Sequence, residues 1–495
     1  MATCTTALLI LLLILATATT TTFSLLEMEV LQMAQTQVSQ AKNWVNGNNS
    51  QYGLGTLSDE TRSSVNIVGG VALRDCSKLY EESESRLSRM VSSDKSSYTK
   101  EDALTWVSAV MTNHRTCLDG LQEKGHVEAH QLLSRKNLTT LLGQALILYS
   151  KTKVKGKGLH HKTVSESNDG LALESWSPAA HKADFTVAQD GSGSHRTIRE
   201  AVDALAAMGH NRGGRRAVIH VKAGVYHEKV VIGSKMHNVM FVGDGIDRTI
   251  ITGNRNVVQG STTMNSATFD VSGDGFWARD ITFENTAGPE KHQAVALKSS
   301  SDFSVFYRCS FKAYQDTLYV HSNRQFYRDC HIYGTIDFIF GDAAAVLQNC
   351  DIFVRKPMSQ QSNFITAQGR DDPNKPTGIS IQGCRVRPTS EGVSSKTFLG
   401  RPWKKYSRTV FMKSDLDGLI HPRGWGEWRG NFALSTLYYG EYMNIGSGAS
   451  TQNRVNWPGF HVLRSAGEAA PFTVSRFLQG DRWIPASGVP FSSEI

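Results

Sequence analysis

The sequence predicts an all-β right-handed parallel β-helix preceded by an all-α helical bundle. Three observations carry that expectation. Between 25 and 150 the apolar residues keep a helical period, and from Asp184 onward they keep that of short strands. One phrase then recurs, in Ala278-Arg-Asp-Ile-Thr-Phe283, Phe306-Tyr-Arg-Cys-Ser-Phe311, Phe326-Tyr-Arg-Asp-Cys-His-Ile332, Val346-Leu-Gln-Asn-Cys-Asp-Ile352 and Ile379-Ser-Ile-Gln-Gly-Cys-Arg-Val386. Within it Cys309, Cys330 and Cys350 stand 21 and 20 residues apart, and Cys384 follows 34 later, leaving room for a loop insertion at 370–376. Imperfect repeats of that size, each too small to bury its own apolar face, mark a solenoid with one coil per repeat. Strands with no helices between them argue against a doubly wound sheet.

Taken in order, residues 1–22 contain the apolar run Ala7–Ala16 followed by small residues. It is short for a membrane span and fits a cleaved secretory signal, although no Lys or Arg precedes it. The sequons at Asn48 and Asn137 are consistent with export and with glycosylation at those two residues. In 23–150 four apolar stripes follow: Val30, Met33, Ala34, Val38, Ala41 and Val45; Val68, Val71, Ala72, Cys76 and Leu79; Leu104, Val107, Val110, Met111 and Leu118; Leu138, Leu141, Leu142, Ala145 and Leu146. Four such segments with short polar links read as an antiparallel bundle. Cys76 and Cys117 lie on its second and third segments, so a bridge between them would tie neighbouring helices. Residues 151–183, basic and then rich in Ser, Gly and His, read as a linker. In 184–495 the strands begin, with Ala217–Lys222 and Val239–Val242 among the first. Only Thr197–Met208 looks helical there, and it suits a cap on the solenoid's end.

Composition narrows the function classes. A hydrophobic content of 40% with 20% charged residues describes a folded chain. A net charge of +8 favours an anionic partner such as an acidic polysaccharide. No nucleic-acid-binding module is present, so nucleic acid is not the expected partner. No Cys or His spacing suggests a metal site.

Four polar residues stand out in the repeats. Gln293 and Gln315 are 22 residues apart, and Asp316 and Asp337 are 21 apart. Residues one coil apart stack about 4.8 Å from each other. The two carboxylates and two amides are therefore expected to converge on one face. Singly, an Asp in a β-rich chain caps a turn and a buried Gln satisfies backbone groups. Together they are the parts for nucleophilic and acid–base chemistry.

The phrases Gly224-Val-Tyr-His-Glu228, His292-Gln-Ala-Val-Ala-Leu297, Tyr314-Gln-Asp-Thr-Leu-Tyr319, Asp337-Phe-Ile-Phe-Gly341 and Leu399-Gly-Arg-Pro-Trp403 resemble, in order, the signature set of plant pectin methylesterases. The likeness runs from about Asp184 to Phe491. Thr105-Trp-Val-Ser-Ala-Val-Met-Thr112 and Thr116-Cys-Leu-Asp119 resemble the inhibitor-like pro-region that precedes many of these enzymes. This chain has neither the N-terminal Cys pair of that region nor the basic dipeptide with two leucines at which it is usually cut.

The resemblance implies a β-helix with its site in a long cleft and methyl-esterified homogalacturonan as substrate. It implies a secreted, cell-wall carboxylic ester hydrolase that works without a cofactor or metal. By position it makes Asp337 the nucleophile, Asp316 the acid/base, Gln293 and Gln315 the oxyanion donors, and Arg401 the holder of Asp337. It makes Trp403 a platform for a galacturonate ring and Thr263 a further substrate contact. A proteinaceous pectinesterase inhibitor is a further expected partner, and the enzyme is expected to act as a monomer.

Elementary chemistry agrees with those roles. A bidentate arginine is expected to depress the Asp337 pKa and orient its free oxygen. The resulting negative charge favours a proton on Asp316. Paired carboxylates also serve glycosidases, so a β-helix polysaccharide hydrolase is the first alternative and a catalytically silent pectin-binding protein the second. Among the cysteines, coil stacking allows either Cys309–Cys330 or Cys330–Cys350. The resemblance selects Cys330–Cys350, with Cys76–Cys117 in the bundle and Cys309 and Cys384 free.

Overall fold

The computed structural model describes residues 20–51, 70–92, 97–151, 172–209, 214–393 and 395–495. The expected signal run and most of the linker lie outside them. The chain forms two compact units.

The first unit is helical: α1 (Thr20–Gln51), α2 (Gly70–Ser92), α3 (Lys100–Glu123), α4 (Val127–Ser134) and α5 (Leu138–Lys151). Val68 lies outside the described residues and Leu104 is half-buried; the rest of the apolar stripes, Met33 excepted, meet in its core, where Val38, Leu79, Val107 and Leu142 are fully buried, and α5 packs against α1 and α3. Met33 departs from its predicted stripe and is exposed, because it lies at the edge of the arc set by Val30, Ala34 and Val38. The short α4 was not expected as a separate helix. Thr99 starts α3 with a capping box, its Oγ1 accepting from the Asp102 N–H while the Thr99 N–H donates to Asp102. Cys76 and Cys117 are bridged across α2 and α3. Asn48 sits in the last turn of α1 with its Nδ2 donating to the Trp44 carbonyl, whereas Asn137 is exposed just before α5.

The second unit is the solenoid. Among the described residues its strands form three parallel sheets of eleven, seven and eight strands. Each coil contributes one strand to each sheet in turn, as in Ser304–Tyr307, Ser310–Lys312 and Leu318–Val320. The recurring phrase is the bend between two of these strands. Asp280, Arg308, Asp329, Asn349, Gly383 and Lys413 occupy one position on successive coils, all with φ between 48 and 59°. The left-handed residue turns the chain, and the next side chain points inward. Ile281, Cys309, Cys330, Cys350, Cys384 and Ser414 form that inner row, each fully buried. Beside it runs an aromatic stack in which Phe306 lies on Tyr327 at 4.8 Å and Phe283 on Phe311 at 5.7 Å.

The four solenoid cysteines are free thiols. This corrects the expected Cys330–Cys350 bridge. Residues at one position of an in-register parallel stack point the same way, so their sulfurs keep the ~4.8 Å coil separation. A disulfide needs about 2 Å. Each thiol instead reaches the carbonyl two residues back, and Cys330, Cys350 and Cys384 also reach one on the preceding coil, as Cys330 does with Arg328 at 3.3 Å and Phe306 at 3.4 Å.

Helix α6 (Ile198–Ala207) closes the first end of the solenoid, burying Ile198, Ala201 and Leu205 against Val187, Ala217 and Ile219. Thr197 caps it with a second capping box. The stretch 172–183, assigned by sequence to the linker, belongs to this unit. Leu173 and Trp176 are buried against the outer face of the eleven-stranded sheet. The Arg279 guanidinium donates to the carbonyls of Leu173 (2.7 Å), Glu174 and Trp176 (2.8 Å). A polar stretch without periodicity gave no sign of this tie, because its partner lies a hundred residues away.

Candidate active site

The site is built on the outer face of the seven-stranded sheet. Leu297, Leu318 and Ile339 pair in register and point into the core, so their neighbours Tyr319 and Phe340 point outward. There Ala267, Val295, Tyr319, Phe340 and Ala367 form a separate apolar patch, joined by Trp403 and Trp428.

Asp316 stands two residues before Leu318, and Asp337 two before Ile339, so they hold the same place on adjacent coils. The Asp316 N–H donates to Ile336 at 3.0 Å and the Leu318 N–H to Phe338 at 2.9 Å, fixing Asp337 between two rungs. Both acids have left-handed backbone, with φ of 65° and 52°. That is strained for most side chains and best tolerated by Asp and Asn. Strain of this kind gathers at sites where the chain must present a side chain in one direction. Both acids are buried, at 7% and 5% exposure. Gln293 and Gln315 pair through an isolated parallel bridge, with the Ala294 N–H donating to the Gln315 carbonyl at 3.2 Å. Both are half-buried. The four residues thus come together as the spacing predicts.

Arg401 follows the strand Thr397–Gly400, its N–H tied to the Thr366 carbonyl at 3.0 Å. Its Nε and Nη2 grip the two Asp337 oxygens at 2.8 and 2.7 Å. The guanidinium lies 4.3 Å from the Phe364 ring and 4.5 Å from that of Trp428. Burial opposes its charge, but Asp337 and Asp316 together hold its pKa above the usual arginine value. For Asp337 the expectation of a depressed pKa is reversed. Burial raises it and outweighs the pull of Arg401. A carboxylate so nearly buried loses more from leaving water than one arginine, itself largely buried, returns.

Trp403 lies 6.0 Å from Phe340 and 6.5 Å from Tyr319, which stack on each other at 4.2 Å. Gly369 seats it: a Cβ there would come within 2.7 Å of the indole. Thr263 is half-buried in the loop before the strand Phe269–Val271, and its carbonyl accepts from the Ser266 hydroxyl at 2.7 Å. That loop reaches the site through the Val257 N–H, which donates to the Gln293 carbonyl at 3.2 Å. Among the described residues no group of three or more His, Cys, Asp or Glu is arranged to hold a metal.

Phe364, Gly369 and Trp428 escaped the sequence reading. The run Gly424-Trp-Gly-Glu-Trp428 held a signal, two tryptophans among glycines. Nothing local marks Phe364 or Gly369, whose partners come from the next coil.

A carboxylate held by arginine, a second carboxylate one coil away and two carboxamides on a parallel β-helix are the parts of a hydrolase. Comparison with known proteins says which. The pectinesterase family description matches residues 184–481, and that of the plant invertase/pectin methylesterase inhibitor matches 4–148. The chain is 55% identical over 501 aligned positions to the probable pectinesterase/pectinesterase inhibitor 36 of Arabidopsis thaliana, covering 95% of this chain and 94% of that one. It is 52% identical over 432 positions to pectinesterase 2 of Citrus sinensis, covering 86% and 82%. Among solved structures, pectin methylesterase from carrot superposes with a TM-score of 0.61 at 55% identity, over 63% of this chain and 98% of that one. The Aspergillus niger pectin methylesterase gives 0.53 at 30% identity, over 61% and 95%. The chain belongs to the pectinesterase family of carboxylic ester hydrolases, and its solenoid is the right-handed β-helix of those structures.

Proposed function

We propose that this protein hydrolyses the methyl esters of cell-wall homogalacturonan, releasing methanol and leaving pectate. The observation that carries this reading is the bidentate Arg401–Asp337 pair with Asp316 at the same position on the neighbouring coil. Arg401 holds both Asp337 oxygens and so fixes the orientation of the carboxylate. An Asp337 oxygen attacks the ester carbonyl carbon. The carbonyl oxygen becomes an oxyanion and accepts N–H bonds from Gln293 and Gln315, each such donor being worth about 3 kcal/mol. As the tetrahedral centre collapses, the C–O bond to methanol breaks and Asp316 supplies the departing oxygen with a proton. An acyl-enzyme remains on Asp337. Asp316, now ionised, takes a proton from water, and the hydroxide attacks the acyl carbon and frees Asp337. Trp403 carries a sugar ring, and Thr263 contacts the chain further along. No cofactor enters the cycle.

We place the enzyme outside the cell, in the wall, acting as a monomer. The Cys76–Cys117 bridge suits an oxidising compartment. Among the described residues no helix is long and apolar enough to cross a membrane. The helical unit is proposed to restrain the enzyme until removed, and a separate inhibitor protein is a further proposed partner.

The test is the product. Wild-type protein should release methanol from methylated pectin without new reducing ends or unsaturated uronides. Reducing ends would make it a glycoside hydrolase, unsaturated products a lyase, and pectin binding without any product a silent binding protein.

A further inference from the structure

One buried carboxamide ties together the segments that flank the site. Asn285 ends the strand Thr282–Asn285 and is 2% exposed. Its Nδ2 lies 2.9 Å from the Arg255 carbonyl, 3.1 Å from that of Val295 and 3.3 Å from that of Ser266. Its Oδ1 accepts the Ala287 N–H at 3.1 Å. An amide group has two hydrogens, so three carbonyls share them and all three backbones are drawn to one point. Ser266 completes the knot: its hydroxyl donates to the Thr263 carbonyl at 2.7 Å and accepts the Val295 N–H at 3.1 Å.

Each segment leads to the site. Val295 is two residues from Gln293, Ser266 is three from Thr263, and Arg255 is two from Val257, whose N–H holds the Gln293 carbonyl. Neither segment bearing Gln293 or Thr263 is a regular strand where those residues sit. On the other side Gln293 is paired through its isolated bridge to Gln315. We propose that Asn285 is a positioning residue for the esterase reaction, setting the place of the Gln293 donor and, through Ser266, of Thr263. It touches neither substrate nor reacting atoms. The inference rests on the function proposed above.

A residue serving stability alone would lower the melting temperature and leave turnover per folded molecule unchanged. A positioning residue acts through Gln293, so the two must be coupled. Asn285→Asp keeps the shape but turns a donor toward three carbonyls into an acceptor. A misplacement of about 1 Å costs on the order of 10²-fold, so kcat on methylated pectin should fall ~10- to 100-fold through Gln293, while KM rises a few-fold through Thr263. Gln293→Ala alone should cost ~10²-fold or more. The kcat of the double variant should lie within about threefold of that of Gln293→Ala, because a displaced donor has little left to lose. If Asn285→Asp fails to fold, Ser266→Ala probes the same knot, and the same coupling to Gln293→Ala is expected. Multiplying, independent costs, or an Asn285→Asp protein with a lower melting temperature and unchanged kcat, overturn the inference while wild type remains an esterase. A wild type that releases no methanol overturns the functional reading and this inference with it.

Discussion

At Asp337 two opposed effects meet, and their balance sets a pH dependence. Burial raises its pKa and Arg401 lowers it, with burial the larger. In the proposed role of nucleophile Asp337 must be ionised, and a raised pKa means it takes its proton at a higher pH than an ordinary aspartate. The acid limb of kcat/KM should therefore lie above the usual ~3.9. Arg401→Gln removes the lowering influence, so the limb should move further up while kcat falls. A pH–rate profile of both proteins checks the sign, and a limb that moves down refutes it. Arg401→Lys should not restore wild-type turnover, since an ammonium cannot reproduce the fork. Asp337→Asn should abolish methanol release and keep pectin binding. Asp316→Asn should lose about 10²- to 10⁴-fold in acid–base help. Gly369→Ala places a methyl 2.7 Å from the Trp403 indole. It should displace the ring and raise KM several-fold, of the order of losing one stacking contact.

At the scale of elements, the strap at 172–177 decides where the solenoid unit begins. A chain starting at Asp184 leaves the Arg279 guanidinium without three carbonyl partners and, having lost Leu173 and Trp176, uncovers Val218, Met240 and Val242. Arg279 keeps its ion pair with Asp280 at 2.8 Å, so the loss is that of the charge-assisted hydrogen bonds to the strap, about 1.5–3 kcal/mol each at most, and of the apolar cover. That chain should melt several degrees below one starting at Ala172, as calorimetry would read, and equal melting temperatures would show that the strap contributes nothing. The cysteine row makes a second prediction. Burial pushes the thiols of Cys309, Cys330, Cys350 and Cys384 up in pKa, and thiolate is the reactive form. A thiol reagent should leave all four untouched in the native protein and titrate them only in denaturant. Non-reducing peptide maps should show Cys76–Cys117 and no bridge in the row.

At the scale of the whole molecule, the two units have separate supports. The Cys76–Cys117 bridge closes a loop of 41 residues. By the chain-entropy estimate that is worth about 4 kcal/mol. Reduction should lower the melting of the helical unit and leave that of the solenoid unchanged, giving two resolved transitions. If the helical unit restrains the enzyme, the chain from Ala172 should release methanol faster per molecule than the full chain, and equal rates would end that idea. Of the two sequons, Asn137 should carry sugar in preference to Asn48, whose Nδ2 is engaged within α1. Mass spectrometry of glycopeptides from secreted protein reads this directly.

By itself the sequence determined the architecture and the convergence of the four polar residues. Both follow from period: one position per coil repeats in space as it repeats in the chain, so Asp316 and Asp337, or Cys309 and Cys330, declare their neighbours. The helices of the first unit were legible for the same reason, through a 3.6-residue stripe. Tertiary structure alone decided what period does not encode. Whether stacked cysteines bond depends on side-chain direction, and the parallel stack keeps their sulfurs apart. Whether Arg401 or burial rules Asp337 depends on how much water the neighbouring rings exclude. The strap on Arg279, the seat of Trp403 on Gly369 and the knot at Asn285 are contacts between segments far apart in the chain. Gly369 and Asn285 stand in no repeating pattern, the repeat that holds Arg279 does not mark the strap, and only the folded chain brings each its partners.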